Sequence, residues 1–471
     1  MKCRWLLALV AACAPAGAAQ PTASPAPLEI PLIGPPIAIP PARDGKPASR
    51  PAVLTDVVQV EVNLDTACAL RADGDVYCWG HDPTKVTTGY SATCPECLRQ
   101  PRKILGLGKA KQIDVGFQYA CALEEAGTVA CWGKGLANMQ VVREKSDGVV
   151  RLVDDGGAPI LAKRIATAVH LCIVTPSGDA MCRGNNSDGQ AGAPMKPRPP
   201  NGGVVATPKW TKVVSGAEDV VVGGQLTCAK VPADKTGWQC WGDDFKDADQ
   251  SAAVQARTAM RPRHVPRSVD LTAAGGKSPV SAMSIGDGHV CAVDAAHDVY
   301  CWGWNVSGQA GPGPTGQEAY RLKQSHRVTP ARVALPSSDF VAVAAARYST
   351  CALGQRGDVF CWGGNNDGVL GSGLLPEEPG SPDGTTPVRV VGLDDASALS
   401  AGSAIACALR RGAGTEARTV ACWGGNEMFG LGRGLRRELP APGRREGTRA
   451  LGEPTPGLVA APLADRPVTS P

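Results

Sequence analysis

The chain of 471 residues is poor in aromatic residues, which make up 4% of it, and has no large excess of either charge. Lysine and arginine number 48 against 44 acidic residues, and a net charge of +4 is too small to indicate a dedicated nucleic-acid surface. Beyond the N-terminus, no apolar run is long enough for a transmembrane helix. The sequence therefore predicts no nucleic-acid partner, and membrane attachment only through an N-terminal lipid anchor.

The signatures of common enzyme sites are also missing. The chain has no HExxH, GxSxG, P-loop or dinucleotide-binding motif. It also lacks the Asp-box pattern Ser-x-Asp-x-Gly-x-Thr-Trp of bacterial neuraminidases, which disfavours a glycosidase. These absences predict a protein that is not an enzyme and that has no catalytic residue, no cofactor and no metal site.

Cysteine is abundant, with 18 residues, and fourteen of them form a repeating pattern of seven pairs. The first cysteines of successive pairs lie 51 to 63 residues apart, and a period of this size indicates one supersecondary unit in seven copies. The pairs are Cys68 and Cys78, Cys121 and Cys131, Cys172 and Cys182, Cys228 and Cys240, Cys291 and Cys301, Cys351 and Cys361, and Cys407 and Cys422. Six second cysteines begin the tripeptide Cys-Trp-Gly, with Trp79, Trp132, Trp241, Trp302, Trp362 and Trp423. The third repeat has Arg183 in place of the tryptophan.

The spacing within the pairs predicts β-hairpins. In five pairs the cysteines are ten residues apart, which centres a three-residue loop between them. Glycine closes four of the five loops, as at Gly74 and Gly127, where a type I turn with a G1 bulge needs the left-handed conformation. Cysteines that face each other across a hairpin are within reach of a disulfide. We therefore predict seven local disulfides, each contributing on the order of 2 to 3 kcal/mol by the chain-entropy estimate.

Each tryptophan directly follows a cysteine, so the two side chains point to opposite faces of the hairpin and both faces prefer burial. Further short apolar runs, such as 57–62 and 340–346, give about four strands per unit with no sustained helical period. The sequence therefore predicts an all-β fold: a seven-bladed β-propeller of four-stranded antiparallel blades, with a disulfide-stapled hairpin in each blade. The six tryptophans should pack between blades, and residues from both ends of the propeller should meet in one blade.

Two motifs carry a resemblance to a known family. The first is ACAL at 67–70 followed by GDVYCWG at 74–80, and the second is an Asn/Gly turn after the Cys-Trp-Gly strand, at 186–192, 305–311 and 365–371. Repeats 1, 2 and 4 lack this turn. Together the motifs resemble the regulator of chromosome condensation repeat family over about residues 50 to 465. The resemblance implies the propeller fold, and it leaves open a guanine-nucleotide exchange factor and a secreted enzyme inhibitor as alternative functions.

The first residues read as a secretion signal, with Lys2 and Arg4 before an apolar run that is too short to span a bilayer. Two cleavage sites compete: the segment 10–13 resembles a lipoprotein box that would lipidate Cys13, and the segment 16–18 fits ordinary cleavage near Ala18. The predicted domains are a signal peptide at 1–18, a Pro/Ala-rich tether at 19–50, the propeller at 51–465 and a tail at 466–471. Cleavage removes Cys3 and either removes or lipidates Cys13, which leaves sixteen cysteines able to pair, an even number that suits an oxidising compartment.

The two of these sixteen cysteines that remain after the seven hairpin pairs form the short motif Cys94-Pro95-Glu96-Cys97. This spacing occurs in zinc sites and redox-active dithiols, but matching metal ligands and a thioredoxin-like βαβ setting are both missing here. A structural disulfide is the favoured interpretation. His170 and His289 occupy one repeat slot, two residues before a first cysteine, which indicates a role in blade packing or hydrogen bonding.

The combined prediction is a monomeric, secreted or lipid-anchored protein of the bacterial envelope, in the periplasm or on the outer membrane. It acts as a binding or scaffolding propeller for an envelope protein or a glycan. The long segments after each Cys-Trp-Gly strand should crowd one face and bind the partner, because loops on a rigid support commonly carry recognition. These segments are 81–101, 134–158, 193–208, 243–266, 304–329, 364–387 and 425–454.

Overall fold

Seven four-stranded antiparallel sheets are arranged as the blades of a propeller, which confirms the predicted fold. The computed structural model describes residues 53–81, 97–138, 148–196, 203–243, 264–321, 325–337, 339–382, 384–412, 417–426, 430–433, 438–440, 448–450 and 453–461. The predicted signal peptide, the lipidation site Cys13, the tether, the C-terminal tail and Cys94 lie outside these residues. Cys97 is described only as the first residue of a strand.

Each blade takes its four strands in chain order as inner, second, third and outer, and only in blade 7 does a separate strand pair intervene, between the third and outer strands. The inner strands of blades 1 to 7 are Val57–Asn63, Ala110–Gly116, Arg164–Thr167, Asp219–Val222, Ala282–Ile285, Phe340–Ala345 and Ala396–Ala401. The second strands are Thr66–Arg71, Tyr119–Glu124, His170–Val174, Leu226–Lys230, His289–Val293, Ser349–Gly354 and Ile405–Arg410.

The third and outer strands complete each blade. The third strands are Val76–His81, Val129–Trp132, Ala180–Asn185, Trp238–Gly242, Val299–Trp304, Val359–Gly363 and Thr419–Gly424. The outer strands are Cys97–Lys103, Val150–Arg151, Ala206–Val214, Arg267–Ser268, His326–Arg332, Val388–Arg389 and Glu453–Leu458. Short helices occur at Gly135–Asn138, Thr272–Ala274, Gly316–Arg321 and Asn366–Gly368, and a separate strand pair joins Glu438–Pro440 to Thr448–Ala450. No helix in the described part of the chain is long and apolar enough to cross a membrane.

The second and third strands of every blade are joined by a disulfide between directly opposite cysteines. In each pair the Cα atoms are 4.0 to 4.2 Å apart, and each cysteine is partnered in the strand register with the one predicted from the spacing. The three-residue loop is present as well. In blade 1, Gly74 donates to the carbonyl of Arg71 and has a φ of 82°. Every hairpin is therefore stapled within its own blade.

Both ends of the described chain meet at the seventh blade. Its outer strand is the C-terminal strand Glu453–Leu458, and the backbone N–H of Leu54 donates to the carbonyl of Val459 at 3.1 Å. Thr55 forms a bridge with Thr419 at the start of the third strand of blade 7. The ring thus closes where blade 1 packs on blade 7, and the N-terminal residues add to the edge of that last blade.

The core consists of seven hydrophobic clusters, one at each junction between neighbouring blades. The disulfide of one blade shares its cluster with the tryptophan of the next: Cys291 and Cys301 of blade 5 lie with Trp362 of blade 6, and all three side chains are buried. Because cysteine and tryptophan point to opposite faces of one hairpin, the same contact recurs at six of the seven junctions. The exception is the junction of blades 2 and 3, where blade 3 has Arg183 in place of the tryptophan. Neither face of a blade is left without an apolar partner.

Candidate binding face and central channel

One end of the ring carries both the long connections and the mouth of the central channel. The connection from third to outer strand leaves each blade at the same end as the turn between the inner and second strands, because the four strands alternate in direction. We call this end the loop face and the opposite end, with the disulfide-stapled turns, the hairpin face. The described parts of the long connections include 133–138, 186–196, 305–321 and 364–382. The segments 82–96 and 244–263 lie outside the described residues.

The central channel is a polar cavity of about 320 Å³. The inner strands of all seven blades line it, and the turns that follow them form its rim on the loop face. Side chains join neighbouring inner strands across the channel wall: Gln59 in blade 1 donates to the carbonyl of Ile113 in blade 2 at 2.8 Å and accepts from its N–H at 2.9 Å. Gln112 makes the same two bonds to Ile165 in blade 3. These paired hydrogen bonds join the inner strands of blades 1, 2 and 3 along the channel wall.

Two partly buried carboxylic acids, Glu61 and Asp114, belong to this wall. Glu61 accepts hydrogen bonds from Gln59 at 2.9 Å and from the hydroxyl of Ser400 in blade 7 at 3.0 Å. Asp114 accepts one from the backbone N–H of Thr167 in blade 3 at 2.6 Å. Burial raises the pKa of Glu61 to about 7, although both hydrogen bonds oppose this shift. The pKa of Asp114 is also well above its usual range, because of burial and then the negative charge of Glu61.

Stability should consequently depend on pH through Glu61. Between its usual pKa of 4.5 and its folded pKa of about 7, the unfolded chain releases a proton that the folded chain keeps, so stability should fall as pH rises across this window. The loss attributable to Glu61 should be about 3 kcal/mol. Urea unfolding from pH 4.5 to 8 should show it, and Glu61→Gln should be more stable than the original chain at pH 8 but not at pH 4.5.

Glu124→Gln supplies a control of opposite sign. Burial raises the pKa of Glu124, but hydrogen bonds from Arg151, Thr128 and the N–H of Gly108 outweigh it and hold the pKa below its usual value. This variant should lose stability at neutral pH and approach the original chain in acid. A pH profile that Glu61→Gln leaves unchanged would mean that Glu61 is ionised in the folded ring.

The repeated histidine links neighbouring blades. Nε2 of His170 in blade 3 lies 2.5 Å from the hydroxyl of Thr227 in blade 4. That hydroxyl donates to the carbonyl of Gln190 at 2.8 Å, so it accepts from the histidine. Trp241 of blade 4 donates its indole N–H to the same carbonyl at 3.0 Å. Burial lowers the pKa of His170 to about 3, so the ring is neutral and acts in packing.

The same network recurs between blades 5 and 6. His289 contacts Thr350 at 2.7 Å, and both Thr350 and Trp362 donate to the carbonyl of Gln309, at 2.9 and 3.0 Å. Burial lowers the pKa of His289 to about 3 as well. Gln190 and Gln309 are the glutamines of the Asn/Gly turn, so this turn receives the indole of the following blade.

Among the described residues, the Asn/Gly turn of a blade decides whether the tryptophan of the next blade has a hydrogen-bond acceptor. Four tryptophans donate to a carbonyl in the turn of the preceding blade: Trp79 to Gly430, Trp241 to Gln190, Trp362 to Gln309 and Trp423 to Val369. Blades 1 and 4 lack the turn, and the indole nitrogens of Trp132 and Trp302 in the blades that follow have no partner among the described residues. All six tryptophans are at most 2% exposed.

Blade 2 also lacks the turn, and blade 3 after it has Arg183 where the tryptophan would be. Its guanidinium lies 5.3 Å from the ring centroid of Trp210, which comes from the outer strand of blade 3. Trp210 joins the buried cluster of Cys121 and Cys131 and donates to the carbonyl of Val153 at 3.0 Å. Sequence reasoning missed this replacement. The only signal for it was that the third repeat, which lacks the Cys-Trp-Gly tripeptide, has a tryptophan elsewhere, at position 210.

Four acidic groups on the hairpin face are each paired with a basic residue of their own blade. The partners are basic residues of the outer strands: Lys103 with Asp75, Arg151 with Glu124, Lys212 with Asp179, and Arg332 with Asp298, at 2.6 to 2.8 Å. Hydrogen bonds from Lys103 and Lys109 hold the pKa of Asp75 below its usual value. No group of three or more histidine, cysteine, aspartate or glutamate side chains in the described ranges has the geometry of a metal site.

Comparison with known proteins gives consistent results. Two models of the Regulator of chromosome condensation (RCC1) repeat match, one at residues 57–83, 280–309 and 340–369 and the other at 297–353 and 356–409. The chain is 25% identical over 328 residues to the RCC1 domain-containing protein RUG3, mitochondrial, of Arabidopsis thaliana, covering 68% of this chain and 67% of the relative. It is 26% identical over 331 residues to the Ultraviolet-B receptor UVR8 of the same plant, covering 67% of each.

Two solved structures share the fold. Human WBSCR16 aligns with a TM-score of 0.58 at 18% identity, covering 77% of this chain and 89% of that one. Prp20p of Saccharomyces cerevisiae aligns with a TM-score of 0.58 at 16% identity, covering 87% and 91%. At these identities the likeness establishes the propeller architecture and no more.

Proposed function

Because this chain belongs to the regulator of chromosome condensation repeat family, we infer that it is a binding propeller that holds a protein partner on its loop face. Propellers of this family generally act by binding other molecules, and Prp20p has binding properties to Gsp1p and histones. Nothing in the motifs of this chain supplies a catalytic group, so binding, rather than catalysis, is the proposed activity. A glycan is the second ligand class that the sequence left open.

The difference between the two faces supports the loop face as the binding surface. The long connections leave the blades at this end, where the channel opens, whereas on the hairpin face five blades have tight three-residue turns and four acidic groups are paired with the outer strands of their own blades. Groups that are already paired have less to offer a partner, because binding would have to break an existing ion pair. The varied loops, held on a stapled ring, are the surface available for recognition.

We further place this activity in the bacterial envelope. The N-terminal segment has the features of a secretion signal, and seven disulfides suit an oxidising compartment. Lipidation of Cys13 would tether the ring to a membrane through the proline-rich segment 19–50. Labelled palmitate should then enter the protein and be absent from Cys13→Ser, which should leave the membrane fraction. Label in neither protein would indicate ordinary cleavage near Ala18.

Two sets of substitutions test the binding face. The partner is first recovered by crosslinking in the envelope fraction, then purified and titrated against each variant. The loop-face set is Phe117→Ala, Gln317→Arg and Ser403→Arg, and the hairpin-face set is Asp73→Ser, Ala126→Arg and Arg356→Glu. Affinity should fall at least tenfold with the first set and stay unchanged with the second. The reverse result would assign binding to the hairpin face.

A further inference from the structure

A pair of aromatic side chains stands apart from the others on the loop face. Nine tryptophans lie in the described ranges, and eight are buried, whereas Trp304 is half-buried. Among the tyrosines whose side chains are described, Tyr348 alone is not buried. These two rings are neighbours, with centroids 5.6 Å apart and planes at 56°. In a chain with few aromatic residues, the contact between the one partly exposed tryptophan and the one partly exposed tyrosine of the described side chains needs an explanation.

The fold brings the two rings together from different blades. Trp304 ends the third strand of blade 5, and Tyr348 lies in the turn after the inner strand of blade 6. Backbone contacts support both: Trp304 donates its N–H to the carbonyl of Gly288, and Gly364 donates to that of Tyr348, each at 2.7 Å. A Cβ at either glycine would lie 3.3 Å from the Cβ of the ring beside it. The backbone beneath both rings is therefore closely packed and holds their Cβ atoms in place.

Arg347 completes the group and is held by two contacts. Its guanidinium carbon lies 5.1 Å from the ring centroid of Tyr348, and its Nε lies 3.5 Å from Asp287 in the adjacent turn of blade 5. The terminal amino groups of Arg347 donate no hydrogen bond to the described residues, and the side chain is 44% exposed. Asp287 and Arg347 both line the rim of the channel. A guanidinium that stacks on Tyr348 and faces Asp287 through Nε keeps its outer edge available for a carboxylate.

We propose that Trp304, Tyr348, Arg347 and Asp287 form an anchoring site, the aromatic corner, that takes an aspartate or glutamate flanked by an apolar side chain on a protein partner. The carboxylate would pair with the outer edge of Arg347, and the apolar neighbour would pack on Trp304. Tryptophan, tyrosine and arginine are enriched among the few residues that contribute most of the binding energy at protein interfaces, and a preformed site loses less entropy on binding. This inference rests on the proposed binding function and specifies its partner chemistry.

Synthetic octapeptides test the aromatic corner directly, before any partner protein has been isolated. A panel containing Leu-Glu, Phe-Glu and Leu-Asp pairs is titrated calorimetrically into the full chain, beside matched peptides with glutamine or asparagine in place of the acid. The acidic peptides should bind, and the amide peptides should bind at least tenfold more weakly. Arg347→Gln should remove this preference, whereas Arg356→Gln on the hairpin face should retain it. Equal melting temperatures of the variants show that the ring is intact.

Several results would overturn the proposal. Absence of binding by every acidic peptide at millimolar concentration would do so, as would equal binding of the amide peptides or unchanged binding by Arg347→Gln. A dimer of the original chain that Arg347→Gln dissociates would show that a second copy occupies the corner. If the envelope partner loses affinity with the loop-face set but not with Arg347→Gln, the proposed function stands and the aromatic corner fails.

Discussion

Replacing Trp362 by alanine should lower the free energy of unfolding by about 3 to 5 kcal/mol, as for other large side chains deleted from a packed core. Its indole fills the junction between blades 5 and 6 against the disulfide of Cys291 and Cys301 and is fully buried. The substitution leaves a cavity at a junction on which ring closure depends. Chemical denaturation measures the loss, and a value under about 1 kcal/mol would mean that the junction repacks or that the ring is exposed.

Phenylalanine substitutions separate the hydrogen bond from the packing. Trp362 donates to the carbonyl of Gln309, whereas the indole nitrogen of Trp302 has no partner in the described part of the chain. Trp362→Phe removes an existing hydrogen bond, whereas Trp302→Phe removes a buried N–H that donates to none of the described residues. The first should therefore cost about 1 kcal/mol more than the second. Equal costs would show that the Asn/Gly turn contributes nothing through this bond.

Ending the chain after Pro454 should lower stability by at least about 3 kcal/mol and reduce the melting temperature markedly. The truncation removes most of the outer strand of blade 7 together with Val459, which is fully buried. It also removes the bond from Leu54 to the carbonyl of Val459 and exposes the apolar cluster where blade 7 meets blade 1. The ring would open at its closing junction.

A shorter truncation is the matched control. Ending the chain after Pro462 keeps every residue of the closing strand, and its melting temperature should equal that of the full chain. If the long truncation also melts unchanged, the C-terminal strand does not close the ring.

The hairpins were predictable because their determinants are local. A ten-residue spacing and a glycine at the left-handed position fix the turn, as at Gly74 and Gly357, with φ of 82° and 100°. The fifth repeat has His297 at this position, and its φ of 63° shows that the fold imposes the conformation even without glycine. In the five hairpins with this spacing, the register of the cysteines follows from the turn and the disulfide follows from the register. The other two pairs, with spacings of 12 and 15 residues, were predicted from their place in the repeat.

Features that depend on two blades had no such signal. Glu61 reads in sequence as a polar residue on an alternating strand, and only the packing of blades 7 and 2 against blade 1 buries it. Trp304 and Tyr348 belong to different blades and are distant in the sequence, so nothing around either residue indicates its contact with the other. Residues that meet only after ring closure carry no local pattern that a single sequence reveals.

Peptide mapping without reduction, on protein whose thiols are alkylated as its own cells are broken, tests the account most directly. We expect seven crosslinks, each within one blade, from Cys68 with Cys78 through to Cys407 with Cys422, and no alkylated cysteine among these fourteen. That result would support both the stapled blades and an oxidising compartment. Crosslinks between blades would contradict the fold, and alkylated cysteines at the hairpins would contradict the proposed envelope location.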